Sequence, residues 1–113
     1  MREILEKLKS LPDVFVAMII EEDGLLVDSI SDTSLDPEAI SGLCATIFRT
    51  AKTILTTTHL GELDFVTLES ERGNIFIKSV GELFLAVVAR KRANLGLIRV
   101  VLRKNAERLK EYL

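Results

Sequence analysis

Two uninterrupted apolar runs, Val14-Phe15-Val16-Ala17-Met18-Ile19-Ile20 and Leu83-Phe84-Leu85-Ala86-Val87-Val88-Ala89, constrain this chain more than any other feature. Both are short, and the first is rich in β-branched residues, so both are expected to be strands. A strand with one wet face alternates apolar and polar residues, and neither run does. Each therefore needs cover on both faces, which puts the two side by side in the middle of a sheet with helices above and below.

The intervening segments supply those helices and the remaining strands. Residues 2–10 place Ile4, Leu5, Leu8 and Leu11 on one side of a short amphipathic helix that Pro12 ends. After the first apolar run, Glu22-Asp23-Gly24 predicts a tight hairpin with Asp-Gly at positive φ, leading to a strand over residues 25–30. Asp36-Pro37-Glu38 has the order of an N-cap, a first-turn proline and a carboxylate near the positive helix end. The long helix that follows repeats Ile40, Cys44, Ile47, Phe48, Ala51 and Leu55 on the face expected to lie on the sheet. Its remaining surface, Gly42, Ala45, Thr46, Arg49, Thr53, Thr56 and Thr57, is mostly small, which lets a second backbone approach. His59-Leu60-Gly61 ends this helix, with the glycine expected in the left-handed conformation.

Strands over residues 62–70, 74–79 and 83–89 then form a meander. Asn94 is the expected N-cap of a final helix carrying Leu95, Ile98, Leu102, Leu109 and Leu113 on one side, and Gly96 is expected where its first turn passes close to the sheet. The prediction is an α+β fold in element order α-β-β-α-β-β-β-α. It has a single five-stranded antiparallel sheet, order 2-1-5-4-3, with helices on both faces, and one domain spans residues 1–113.

Central placement of the two apolar strands leaves the strand around Asp64 to Leu68 at an edge, with no proline or lysine to discourage further pairing. A homodimer is the expected result, with this strand paired to its twin across a two-fold axis through Leu63, Asp64, Phe65, Val66, Thr67 and Leu68. The small side of the long helix, at Gly42, Ala45, Arg49 and Thr53, is expected to meet its symmetry mate. Such an interface buries on the order of 1,200–2,000 Å².

Catalytic chemistry finds no foothold. The six glycines are scattered singly, which excludes a phosphate-binding loop, and His59 is the only histidine. Cys44, the single cysteine, sits on the apolar helix face and has no partner for a disulfide or a zinc site. Asp28, Asp32 and Asp36 lack calcium-loop spacing and serve loop solvation and capping. The Arg90-Lys91-Arg92 cluster has no aromatic neighbours for base stacking, and the net charge is −2. The expectation is no catalytic residue, no cofactor, no metal and no nucleic-acid partner. No apolar run spans a bilayer and the first residues lack a signal-peptide pattern, so a cytoplasmic protein without membrane insertion is expected.

The strand, the Asn94-Leu95-Gly96-Leu97 junction and the closing helix, taken with the Asp23-Gly24-Leu25 hairpin and the Glu71-Arg72-Gly73 turn, resemble the roadblock (dynein light chain type) domain family. The resemblance extends to its bacterial and archaeal MglB-like members, regulators of small Ras-like GTPases. It implies a non-catalytic dimeric regulator acting on such a GTPase, with a passive dimeric scaffold as the alternative. By position it assigns Ser41, Gly42, Ala45, Thr46 and Arg49 to the GTPase-facing surface.

Overall fold

The two apolar runs do pair with each other, antiparallel, with Ala17 opposite Val87 and Met18 opposite Ala86. A computed structural model describing residues 1–113 gives the order α1 (Arg2–Lys9), β1 (Val14–Glu21), β2 (Leu26–Ser31), α2 (Pro37–Thr58), β3 (Phe65–Glu69), β4 (Gly73–Val80), β5 (Leu83–Arg90) and α3 (Leu95–Lys110). The strands form one antiparallel sheet in the order β2-β1-β5-β4-β3.

The pleat of the central strands divides the interior in two. Ala17, Ile19, Leu85 and Val87 face α1 and α3 within a cluster of 16 buried residues. Val16, Met18, Ile20, Phe84, Ala86 and Val88 face α2 within a smaller cluster of 10, where the Phe48 and Phe84 rings lie 4.4 Å apart. One helix covers the second face where two cover the first, so the α2 side carries less core.

Local chemistry fixes the junctions. Asp36 Oδ1 accepts the Glu38 N–H at 3.0 Å and Asn94 Oδ1 accepts the Leu97 N–H at 3.0 Å, so both predicted N-caps form. Gly73 is obligatory, because a β-carbon there would lie 2.7 Å from the Ala89 carbonyl oxygen.

Several expectations change. At the first hairpin only Gly24 takes positive φ (97°), and the Asp23 carboxylate instead accepts the Leu25 N–H at 3.0 Å. A register shift between Ile19 and Ile20 lengthens that turn, so β2 starts at Leu26. The cap of α2 is a left-handed His59 (φ 58°, ψ 34°), and Gly61 two residues on takes the positive φ (105°) expected of it. Gly96 does not approach the sheet, since a β-carbon there would meet nothing nearer than Asn94 Oδ1 at 3.6 Å. Leu113 lies beyond the end of α3 and is exposed. β3 is shorter than predicted, and residues 62–64 stay outside the ladder.

Candidate protein–protein interface

The two sheet edges differ. Along β2, Arg2 reaches across from α1, donating from Nη1 to Asp28 Oδ1 at 2.6 Å and to the Ser29 carbonyl at 3.0 Å. β3 pairs with β4 on one side and with no strand on the other. Val66 and Leu68 stand opposite Ile77 and Ile75 on the α2 face. Phe65 and Thr67 stand opposite Lys78 and Phe76 on the α3 face. Phe65, Val66 and Thr67 are half-buried, while Leu68 is 39% exposed. Unpaired backbone beside partly covered apolar side chains is a template for another strand.

The surface of α2 is turned relative to the sequence expectation. Ser41 and Ala45, assigned above to contact surfaces, are buried. The β1–β2 turn occupies their side of the helix: Ser41 Oγ donates to the Gly24 carbonyl at 2.9 Å. A β-carbon on Gly24 would lie 3.1 Å from Gly42 Cα and 3.6 Å from Ala45 Cβ. Small residues at 41, 42 and 45 therefore admit a turn of the same chain. Arg49 is held on that flank too, with Nη1 donating to the Glu22 carbonyl at 2.5 Å. Gly42, Thr46, Arg49 and Thr53 remain exposed. Thr46 and Thr53 turn their hydroxyls back onto the Gly42 and Arg49 carbonyls at 3.0 and 3.1 Å.

The apolar stripe on α2 lies elsewhere. Leu43, Ile47 and Ile54 share one side at i, i+4 and i+11 spacing. Leu43 is 72% exposed and Ile54 56% exposed, while Ile47 is half-buried against the α2-side core. Val66 and Ile75 pack partly against the same core from the β3–β4 end of the sheet. α2 itself lies over β1 and β2, which leaves that end thinly covered. Leu43 and Ile54 fall on the helical wheel between the face expected to be buried and the face of small residues, so neither pattern includes them. The spacing of Leu43, Ile47 and Ile54 was the available signal.

A charged node borders the edge. Asp64 accepts Lys78 Nζ at 3.1 Å and Arg103 Nη2 at 2.6 Å. Both cations also stand over the Phe65 ring, 5.3 and 4.8 Å from its centre. Partial desolvation opposes ionisation of Asp64, but the hydrogen bonds from Lys78 and Arg103 outweigh it and hold the carboxyl below its ordinary value.

The remaining candidates are occupied singly. Cys44 is buried, and desolvation pushes its thiol up to about 11, so thiolate is scarce at neutral pH. Asp28 pairs with Arg2, Asp32 with Lys9 at 2.8 Å, and Asp36 caps α2. Arg90 stands over the Phe15 ring and Arg92 binds Asp13 at 2.8 Å. An open groove of about 610 Å³ runs between the C-terminal half of α2 and Leu63 and Ser79, lined also by Lys52 and His59. No helix is long and apolar enough to cross a membrane.

The family model described as Roadblock/LC7 domain matches residues 1–89. The chain belongs to the Roadblock/LC7 family. The match stops short of the Asn94-Leu95-Gly96-Leu97 junction, whereas solved structures of Roadblock fold extend over nearly the whole chain. A Roadblock/LC7 domain from Streptomyces avermitilis superposes with a TM-score of 0.91 at 16% identity, covering 99% of this chain and 96% of that one. MglB of Myxococcus xanthus gives 0.90 at 19% identity, covering 97% and 91%. An MglB with tetrameric arrangement gives 0.89 at 17%, covering 97% and 85%. An uncharacterised protein of Methanocaldococcus jannaschii is 28% identical over 107 residues, 95% of this chain and 94% of its own. At such identities the structural likeness carries the Roadblock fold.

Proposed function

We propose that this Roadblock protein is a homodimer and a non-catalytic regulator of a small Ras-like GTPase. The observation that carries the dimer is the open β3 edge together with the exposed Leu43 and Ile54 of α2 on the same face of the sheet as Val66. Pairing of β3 with its twin completes the ladder, and the two α2 stripes then cover each other over the thinly clad β3–β4 end. With Ala45 buried, the helix contacts of the proposed dimer are Leu43, Ile47 and Ile54. Phe65, Val66, Thr67 and Leu68 stay in the proposed strand contact, Leu63 and Asp64 fall just outside the strand beside it, and Gly42 and Thr53 stay on the exposed flank.

Family membership and likeness to MglB support the GTPase as partner. Gly42, Thr46 and Arg49 remain the candidate GTPase-facing residues, because they form the exposed flank of α2 away from the Leu43–Ile54 stripe. Arg49 is tied to the Glu22 carbonyl, which favours a regulator that positions the switch loops of its partner over one that inserts an arginine. The test is GTP hydrolysis and nucleotide release by a panel of purified Ras-like GTPases, with and without this protein. A changed rate in either assay, lost in the Thr46→Arg variant, supports regulation. Binding with both rates unchanged replaces it with the passive scaffold.

A further inference from the structure

The node at the head of β3 has one more cation than its own chain neutralises. Lys78 and Arg103 both converge on Asp64, and Arg103 uses only Nη2 there, leaving the rest of its fork without an acceptor. Glu69, at the other end of the same strand, is exposed and has no cationic partner in its own chain.

Two-fold symmetry brings these ends together. An axis normal to the sheet keeps both copies of α2 on the same face, so a residue facing α3 must oppose another residue facing α3. On β3 those residues are Phe65, Thr67 and Glu69, given that Phe65 and Thr67 share the α3 face. Centring the pairing on Thr67 engages all five residues of the strand, and it sets Phe65 opposite Glu69 of the second copy. Directly opposed side chains start about 4.5–5.5 Å apart at Cβ. The row on that face then reads Lys78, Phe65, Glu69 of the second copy, with the Arg103 guanidinium above the ring.

We infer that Glu69 of each copy closes on Arg103 of the other, beside Lys78, and that this pair, made twice per dimer, fixes the strand register and selects self-association. This rests on the proposed β3 dimer, and the second copy supplies the carboxylate that the node lacks. Glu69 and Arg103 are thus specificity-determining residues of the interface.

The test measures the dimer dissociation constant by sedimentation equilibrium at low and high salt for the wild type, Glu69→Gln, Glu69→Arg, Arg103→Glu, and an equimolar mixture of the last two. Either charge reversal places like charges together twice per dimer and is expected to weaken self-association by about tenfold. The mixture restores one native and one swapped pair, so heterodimers form with near wild-type affinity. A purely structural role for Arg103 would show no such rescue. Glu69→Gln disturbs no contact within its own chain, and it is expected to weaken the dimer about threefold and flatten its salt dependence. A dimeric wild type whose charge-reversed variants associate no better together than apart overturns this pairing alone. A wild type that stays monomeric overturns the dimer itself.

Discussion

Replacing Leu43 and Ile54 together by aspartate tests the α2 stripe where its contribution is largest. Fully burying a leucine or isoleucine contributes about 1.5–3 kcal/mol, and these two retain 72% and 56% of their accessible area in the single chain. Covering what remains contributes roughly 1–2 kcal/mol at each position, and symmetry doubles the sum to about 4–8 kcal/mol per dimer. The entropy of association is common to both proteins and cancels in the comparison. At about 1.4 kcal/mol per factor of ten, the dissociation constant should rise by roughly three orders of magnitude or more. Because both positions keep most of their area in solvent in the single chain, its own fold should lose only about 1–2 kcal/mol. Light scattering across a dilution series, with urea denaturation at the lowest concentration, separates the two effects. A variant that keeps its fold and dimerises within tenfold of the wild type refutes the assignment of this stripe.

Ala45→Arg should behave in the opposite way, losing at least about 3 kcal/mol of folding stability, because a buried position against the β1–β2 turn has no room or partner for a guanidinium; an unchanged thermal midpoint would contradict this. His59→Gly relieves a left-handed backbone at an exposed site and should stabilise the chain by about 0.5–1 kcal/mol in urea unfolding at matched concentration. Glu3 is held down to about 2, first by the hydrogen bond from Tyr112 and then by its own backbone N–H and the terminal amine, against an ordinary value of 4.5. A depressed carboxylate stabilises the fold above its ordinary value and loses that contribution as pH falls toward 2. In an NMR titration, Tyr112→Phe should move the Glu3 midpoint upward, and an unmoved midpoint would rule out the tyrosine as the cause.

Much of the architecture was legible because it rests on patterns a single strand or helix carries by itself. Two strands without a wet face must be central, and that fact with the meander orders the sheet. Asp36 and Asn94 announce their caps through side-chain chemistry that acts within three residues. The rotation of α2 was not legible. Ser41, Gly42 and Ala45 are small enough to face solvent, a second chain or a turn, and only the approach of Gly24, distant in sequence, decides among these. The end of α2 was legible at His59-Leu60-Gly61, where Gly61 takes positive φ, but the left-handed backbone at His59 itself was not, since propensity alone favours the glycine. The Asp64 node was hidden because Lys78 and Arg103 lie 14 and 39 residues away along the chain.

The unequal division of the interior by the sheet has a consequence for how this molecule responds to dilution. Its α2 half is backed by the smaller cluster, and it is also the half on which another copy would settle. Loosening of that layer and dissociation therefore draw on the same contacts, so the protection of α2 amides against solvent exchange becomes a readout of assembly. The α1–α3 layer, with its own larger cluster on the far side of the sheet, should hold its protection whether the molecule is alone or paired.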